Sequence, residues 1–173
     1  MTLMNQPASQ KIRVLWIEDG AHVELPQLTT PIYMSNKYYL VVSENATDAI
    51  RKLSDQVFDV VVFDLRLGPG SDEQFQTLYK NLGRQKKAQR LGLYILLGFF
   101  GNKDGQRLDL AKPVWLTIEQ VAVLSVDPYD EPEVQEALVS IGLPVEAYRQ
   151  KTASMKRTIL LELVNEVVQR KAR

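Results

Sequence analysis

Four apolar runs in this sequence each lead into a residue able to do chemistry. KIRVLWI (11–17) stops on Glu18 and Asp19, FDVVVF (58–63) on Asp64, VAVL (121–124) on Ser125, and VEAYR (145–149) runs toward Lys151. A carboxylate can attack phosphorus or ligate a hard cation, a hydroxyl can donate to an anion, and a lysine can neutralise one. Taken singly, each has an ordinary explanation. An acidic pair after a strand caps a helix or sits in a solvated turn. Asp64 can cap the next helix or bond within its own loop. Ser125 can serve as a turn hydroxyl, and Lys151 can lie in water. The joint occurrence, in this order and always at a strand end, favours a shared site, because ligands of open α/β sheets gather beyond the carboxyl ends of the strands.

The elements that must position these residues follow from the apolar pattern. Lys11–Ile17, Tyr38–Ser43, Phe58–Phe63, Val121–Ser125 and the shorter Val145–Arg149 read as strands buried on both faces of a parallel sheet. Asn45 is placed to cap a helix ATDAIRKL with Ala46, Ala49, Ile50 and Leu53 on one face. Ser71 or Asp72 can cap EQFQTLYKNL, and a further helix starts near Pro132 and stops at Gly142 and Pro144. The final stretch carries Ile159, Leu160, Leu163, Val164 and Val167 at helical spacing, with basic residues at its end. Between the first two strands, Pro26 and Pro31 predict a short or broken helix. Strands alternating with helices imply a doubly wound α/β sheet with right-handed crossovers. Residues 1–10 read as a flexible polar tail and 11–173 as one domain.

That ordered set resembles the receiver domain of bacterial two-component response regulators. In that family an acidic pair follows the first strand, a phosphorylated aspartate ends the third, Ser or Thr ends the fourth, and lysine ends the fifth. The corresponding segments here are IEDG, VVVFDLRLGPGSD, VAVLSVD and AYRQKT. The resemblance spans about residues 11–87 and 120–170 and implies a flavodoxin-like sheet of five parallel strands with helices on both faces. Some positions depart from the family. Thr152 follows Lys151 where proline is usual, and 61 positions separate Asp64 from Ser125, more than in the family, with an insertion at about 88–120 making up the excess. A different alignment takes YILLGFF as the fourth strand and Ala111–Pro113 as a lysine–proline pair, leaving Gly98 where a hydroxyl belongs.

The resemblance assigns roles. Asp64 is the phosphoacceptor, and Glu18, Asp19, Asp64 and the backbone carbonyl of Arg66 hold Mg2+, a hard ion suited to oxygen ligands. Lys151 supplies positive charge to a phosphoryl oxygen, Ser125 offers its hydroxyl to another, and Tyr148 occupies the aromatic position that reorients on activation. Three converging carboxylates raise one another's pKa unless a cation is present, which gives the metal a physical reason. The implied partners are a sensor histidine kinase or phosphotransfer protein and a downstream protein docking on about residues 132–168, with a homodimer left open. The chain ends on its last helix, so output is expected through a protein surface rather than an attached module. Enzymatic activity is expected to stop at self-phosphorylation and autodephosphorylation.

Two other functions compete: a receiver-like docking module that takes no phosphate, and a metal-dependent phosphohydrolase with an aspartyl nucleophile. The second would want an acid two residues after the nucleophile, where Arg66 stands. Lysine plus arginine equals aspartate plus glutamate at 21 each, so no global charge points to nucleic acid or membrane. Cysteine is absent, which excludes disulfides and thiolate metal sites and fits a cytoplasmic setting. No apolar run reaches the length of a membrane span. His22 reads as a surface loop residue, GRQKKAQR (83–90) as a solvated helix end, and Trp16 and Trp115 as core or half-buried. The run GLYILLGFF is too apolar to lie in water. It is expected to pack as an added strand or helix, or else to form an association surface, at the sheet end away from Asp64 and outside the chemistry.

Overall fold

The computed structural model describes residues 10–22, 25–82, 89–102 and 108–173. Most of the polar tail, most of GRQKKAQR and most of the turn GNKDG lie outside them. Five strands form one parallel sheet: β1 (Ile12–Ile17), β2 (Tyr38–Ser43), β3 (Val60–Phe63), β4 (Val121–Ser125) and β5 (Tyr148–Gln150), in the order β2-β1-β3-β4-β5. This is the flavodoxin-like arrangement the alternating pattern predicts. Every residue of β3 and β4 is buried, as two covered faces require.

The helices are α1 (Pro26–Met34), α2 (Ala46–Asp55), α3 (Glu73–Leu82), α4 (Leu91–Phe100), α5 (Pro132–Ser140) and α6 (Ile159–Lys171). The step from β1 to β2 runs opposite to the later steps, so right-handed crossovers put α1 on one face and α2 to α5 on the other. α6 joins α1 and lies along β3, β4 and β5, while α4 packs between α3 and α5.

Three expectations are corrected or narrowed. The proline-rich element is short, as expected, but unbroken: it is a nine-residue helix with Pro26 in its first turn, where no N–H is needed, and Pro31 inside it, and Leu28 and Ile32 anchor it to the core. The fifth strand is Tyr148–Gln150, because Val145–Ala147 forms a 3-10 turn with Val145 exposed. Of the strand or helix expected for YILLGFF, the helix is found and the strand is not. Leu91–Phe100 is α4, with Leu91, Gly92, Leu93, Ile95, Leu96, Gly98 and Phe99 all buried. A ten-residue run with one β-branched residue and no polar stripe suits a helix buried nearly all round. VAVLS, pairing with β3 and β5, is the fourth strand, which removes the alternative alignment.

Candidate functional site at the carboxyl edge of the sheet

Ser125 ends β4, and Glu18, Asp64 and Lys151 each continue the ladder one step past their strands. Glu18 N–H donates to the Ser43 carbonyl at 2.8 Å, Asp64 N–H to Ile17 at 2.9 Å, and Lys151 N–H to Ser125 at 2.7 Å. The backbone therefore fixes where the side chains start. Beyond Asp64, the loop is tied to the start of α2. Ala46 and Thr47 N–H groups donate to the carbonyls of Gly68 and Pro69, and Thr47 Oγ1 accepts from Asp72 N–H at 2.9 Å. Gly70 at φ 73° closes that turn, and a Cβ there would meet Asn45 Oδ1 at 2.4 Å, so both conformation and space require glycine. Asn45 is the cap the sequence predicts, accepting from Asp48 N–H at 2.9 Å, and Asp72 caps α3 through Gln74 N–H.

Asp64 is buried with both carboxylate oxygens engaged. Oδ1 accepts from Ser125 Oγ at 2.7 Å and from the Arg66 N–H at 3.1 Å, and Oδ2 accepts from Lys151 Nζ at 2.7 Å. Lys151 Nζ also donates to Glu18 Oε2 at 2.5 Å, while Glu18 Oε1 takes the Gly20 N–H at 3.0 Å. Glu18 is 2% exposed and Asp19 is exposed. One carboxylate oxygen from each of Glu18, Asp19 and Asp64 lies within 4.8 Å of the others. That all-oxygen set, open to water on the Asp19 side, has the donor chemistry of a site for a hard divalent cation.

Charge in this cluster is not balanced. Burial foremost, then the neighbouring Asp64 charge, pushes the Glu18 carboxyl up to about 8 against the pull of Lys151. Burial alone would lower the Lys151 ammonium, but Asp64 and Glu18 more than reverse it and raise its pKa. Two buried acids share one lysine, with Asp19 beside them.

A second polar cluster adjoins the first, and the sequence did not disclose it. Asp127, 1% exposed, accepts from Arg66 at 2.7–3.2 Å and from Arg90 Nη2 at 3.1 Å. Arg90, also 1% exposed, pairs further with Glu131 and, at 2.8 Å, with Glu133. Burial would raise the Asp127 carboxyl, yet hydrogen bonds from Arg66 and Arg90 hold it below the usual value. Burial likewise works against the Arg90 guanidinium, and its bonds to Glu131 and Asp127 outweigh that, leaving its pKa raised. Tyr148 is buried, donates its hydroxyl to the Asp127 carbonyl, and stacks edge-on against Tyr129 at 5.3 Å. Burial, then the nearby Asp127 and Asp64 charges, raises its phenol pKa.

Two placements differ from expectation. Arg90, within the run read as a solvated helix end, is in the interior. The start of α4 also lies at the site and not at the far end of the sheet: Gly92 N–H donates to the Leu65 carbonyl at 2.9 Å, and a Cβ on Gly92 would sit 2.0 Å from the Asp64 carbonyl oxygen. The apolar helix is drawn here because glycine lets its backbone touch the segment that follows β3. His22 is exposed near Glu44, Trp16 is fully buried, and Trp115 is half-buried against Phe58, as expected.

No family model matches the sequence, and no curated protein matches it. The fold does match solved structures. The receiver domain of a Francisella response regulator is 20% identical, with 93% of this chain and 99% of that one covered at a TM-score of 0.53. A CheY-like response regulator receiver domain protein from Methanospirillum hungatei is 15% identical, covering 94% and 98% at 0.52. The signal receiver domain of an HD domain-containing protein from Pseudomonas fluorescens is 15% identical, covering 95% and 100% at 0.51. The chain thus has the receiver fold. No helix among the described residues is long and apolar enough to cross a membrane.

Proposed function

We propose that this chain is a phosphoacceptor signalling protein in which Asp64 takes a phosphoryl group from a phosphohistidine. The donor would be a sensor histidine kinase or phosphotransfer protein. The observation that carries the reading is the pair of donors on Asp64, Ser125 Oγ on one oxygen and Lys151 Nζ on the other, beside two further acids at the carboxyl edge of the sheet. In the transfer, an Asp64 oxygen attacks phosphorus, the P–N bond to histidine breaks, and the imidazole leaves with its electron pair. Lys151 and Ser125 stand where they can pass from the carboxylate to the oxygens of the incoming phosphoryl group. Glu18, Asp19, Asp64 and the Arg66 carbonyl would hold Mg2+, which neutralises charge on those oxygens when bound. Water later hydrolyses the acyl phosphate, so the reaction is self-phosphorylation and autodephosphorylation, with no other substrate turned over. Output would pass through a protein surface at about 132–168, where Val139 and Val145 are exposed on α5 and before β5.

The test is phosphorylation with acetyl phosphate and Mg2+. Wild type should gain the mass of one phosphoryl group, labile to base, and Asp64→Asn should gain none. Equal uptake by Asp64→Asn would remove Asp64 from the role. One observation favours the second reading, a docking module that takes no phosphate: α4, within the insertion, begins against the backbone of Asp64 and Leu65. Absence of uptake by wild type would select it.

A further inference from the structure

Arg90 is the largest buried charged side chain among the described residues, and its position is set from two directions. Its carbonyl accepts the N–H groups of Leu93 and Tyr94 that begin α4, and two residues on, Gly92 is held against Leu65 and Asp64 with no room for a side chain. The root of Arg90 therefore belongs to the Asp64 side of the site. Its head belongs to the other side. The guanidinium grips Asp127 and Glu131 in the segment after β4, and Glu133 at the start of α5, where Tyr94 Oη adds a bond at 3.2 Å. A planar fork with five donors spread over three nitrogens can reach three separate carboxylates, where a lysine offers one nitrogen. Asp127 in turn carries the Tyr148 hydroxyl on its backbone carbonyl, and Ser125, two residues earlier, lies on Asp64.

We propose that Arg90 is a positioning residue that clamps residues 126–131 shut over Asp64, so that Ser125 and Tyr148 hold their inward places before any phosphoryl group arrives. The face carrying Tyr148 is then preset in the unphosphorylated chain. The clamp is supplied by Arg90, immediately before α4 and outside the residues that would react. It rests on the acceptor reading only for what the preset face means to a partner, since the clamp itself acts with no phosphoryl donor present.

Tyrosine nitration by tetranitromethane in the absence of any phosphoryl donor, followed residue by residue by mass spectrometry, reads the clamp directly. Exposed Tyr33 and Tyr39 report full access, and Tyr38, buried with its hydroxyl on Asn165, reports general loosening. In wild type, Tyr148 should react at least about tenfold more slowly than Tyr33, the protection expected of a closed segment. In Arg90→Met, Tyr148 should approach the Tyr33 rate while Tyr38 stays slow, and Arg90→Lys should restore only part of the protection. Should Arg90→Met fail to fold, the double variant Glu131→Gln/Glu133→Gln removes two of the three carboxylates and should expose Tyr148 in the same direction. The proposal is overturned if wild-type Tyr148 reacts as fast as Tyr33, if a folded Arg90→Met keeps it protected, or if Tyr38 and Tyr148 become reactive together. Phosphoryl uptake by Asp64 is scored separately, so the failure of one reading does not imitate failure of the other.

Discussion

Two buried ionic clusters lie side by side at the carboxyl edge of the sheet, and they are settled to different degrees. Around Asp127, two guanidiniums meet three carboxylates, and burial is outweighed for both Asp127 and Arg90, so each is held in its charged form. Around Asp64, one ammonium pairs with two of three clustered acids, and Glu18 is driven up to about 8. The first cluster, two positive charges against three negative, is nearly matched from within the chain. The second is left short of positive charge, and a group that cannot comfortably ionise without help is what a cation or an incoming ligand can act upon. Adjacent positions in one fold thus differ in charge balance: one cluster is nearly matched internally, the other is short of positive charge.

Asp127→Ala should have the largest effect on the contrast between the two clusters. If the Asp127 cluster is nearly matched internally, removing its central carboxylate leaves Arg90 buried with its charge partly uncompensated, at a cost of about 3–5 kcal/mol in urea unfolding. The loss should be the same with and without Mg2+. A cost below about 1 kcal/mol, the level of an exposed pair, would show that the two clusters do not differ in kind.

The next effect is in pH. Folded Glu18 keeps its proton to about 8 while the unfolded carboxyl loses it near 4.5. Its contribution is therefore complete below 4.5 and is lost as pH rises toward 8. The raised Lys151 contributes throughout that window, and the lowered Asp127 contributes above its unfolded value of 3.8, so neither varies across it. Without divalent cation, stability should fall by about 2 kcal/mol between pH 5 and 8. Glu18→Gln should flatten that slope, and saturating Mg2+ should flatten it in wild type. A flat wild-type profile without metal would mean that the Asp64 cluster is already neutralised.

The smallest effect sharpens the boundary between the clusters. Tyr148→Phe removes one hydrogen bond to the Asp127 carbonyl and keeps the ring against Tyr129. It should cost about 1 kcal/mol in urea unfolding, independent of Mg2+. A metal-dependent cost would place Tyr148 with the binding cluster instead.

The Asp64 cluster was legible in the sequence because each of its members sits at the end of a recognisable strand. Apolar runs locate the strands, and parallel strands deliver their ends to one edge. The Asp127 cluster was not, for a physical reason. Arg90 follows QKKAQ and looks solvated locally, and its partners lie 37 to 43 residues away. The available clue was the acid-rich DPYDEPE after Ser125, which needs a countercharge. The other was GLYILLGFF, which has no polar stripe and so carries the residue before it inward. Length and missing β-branching could also have identified that run as a helix. Its approach to Asp64 depends on Gly92, a contact between segments that no local pattern encodes.

The wide sequence separations at the site also bear on how the chain folds. Lys151 reaches Glu18 across 133 residues and Asp64 across 87, and it follows a three-residue strand at the sheet's edge. Glu18 and Asp64 belong to neighbouring strands much closer in sequence. Closing long loops is entropically costly, so β1 and β3 can pair well before β5 docks. During that interval the two carboxylates face each other without their lysine. The last strand then arrives as a counterion, and a divalent cation present earlier would relieve the same repulsion and shorten the wait.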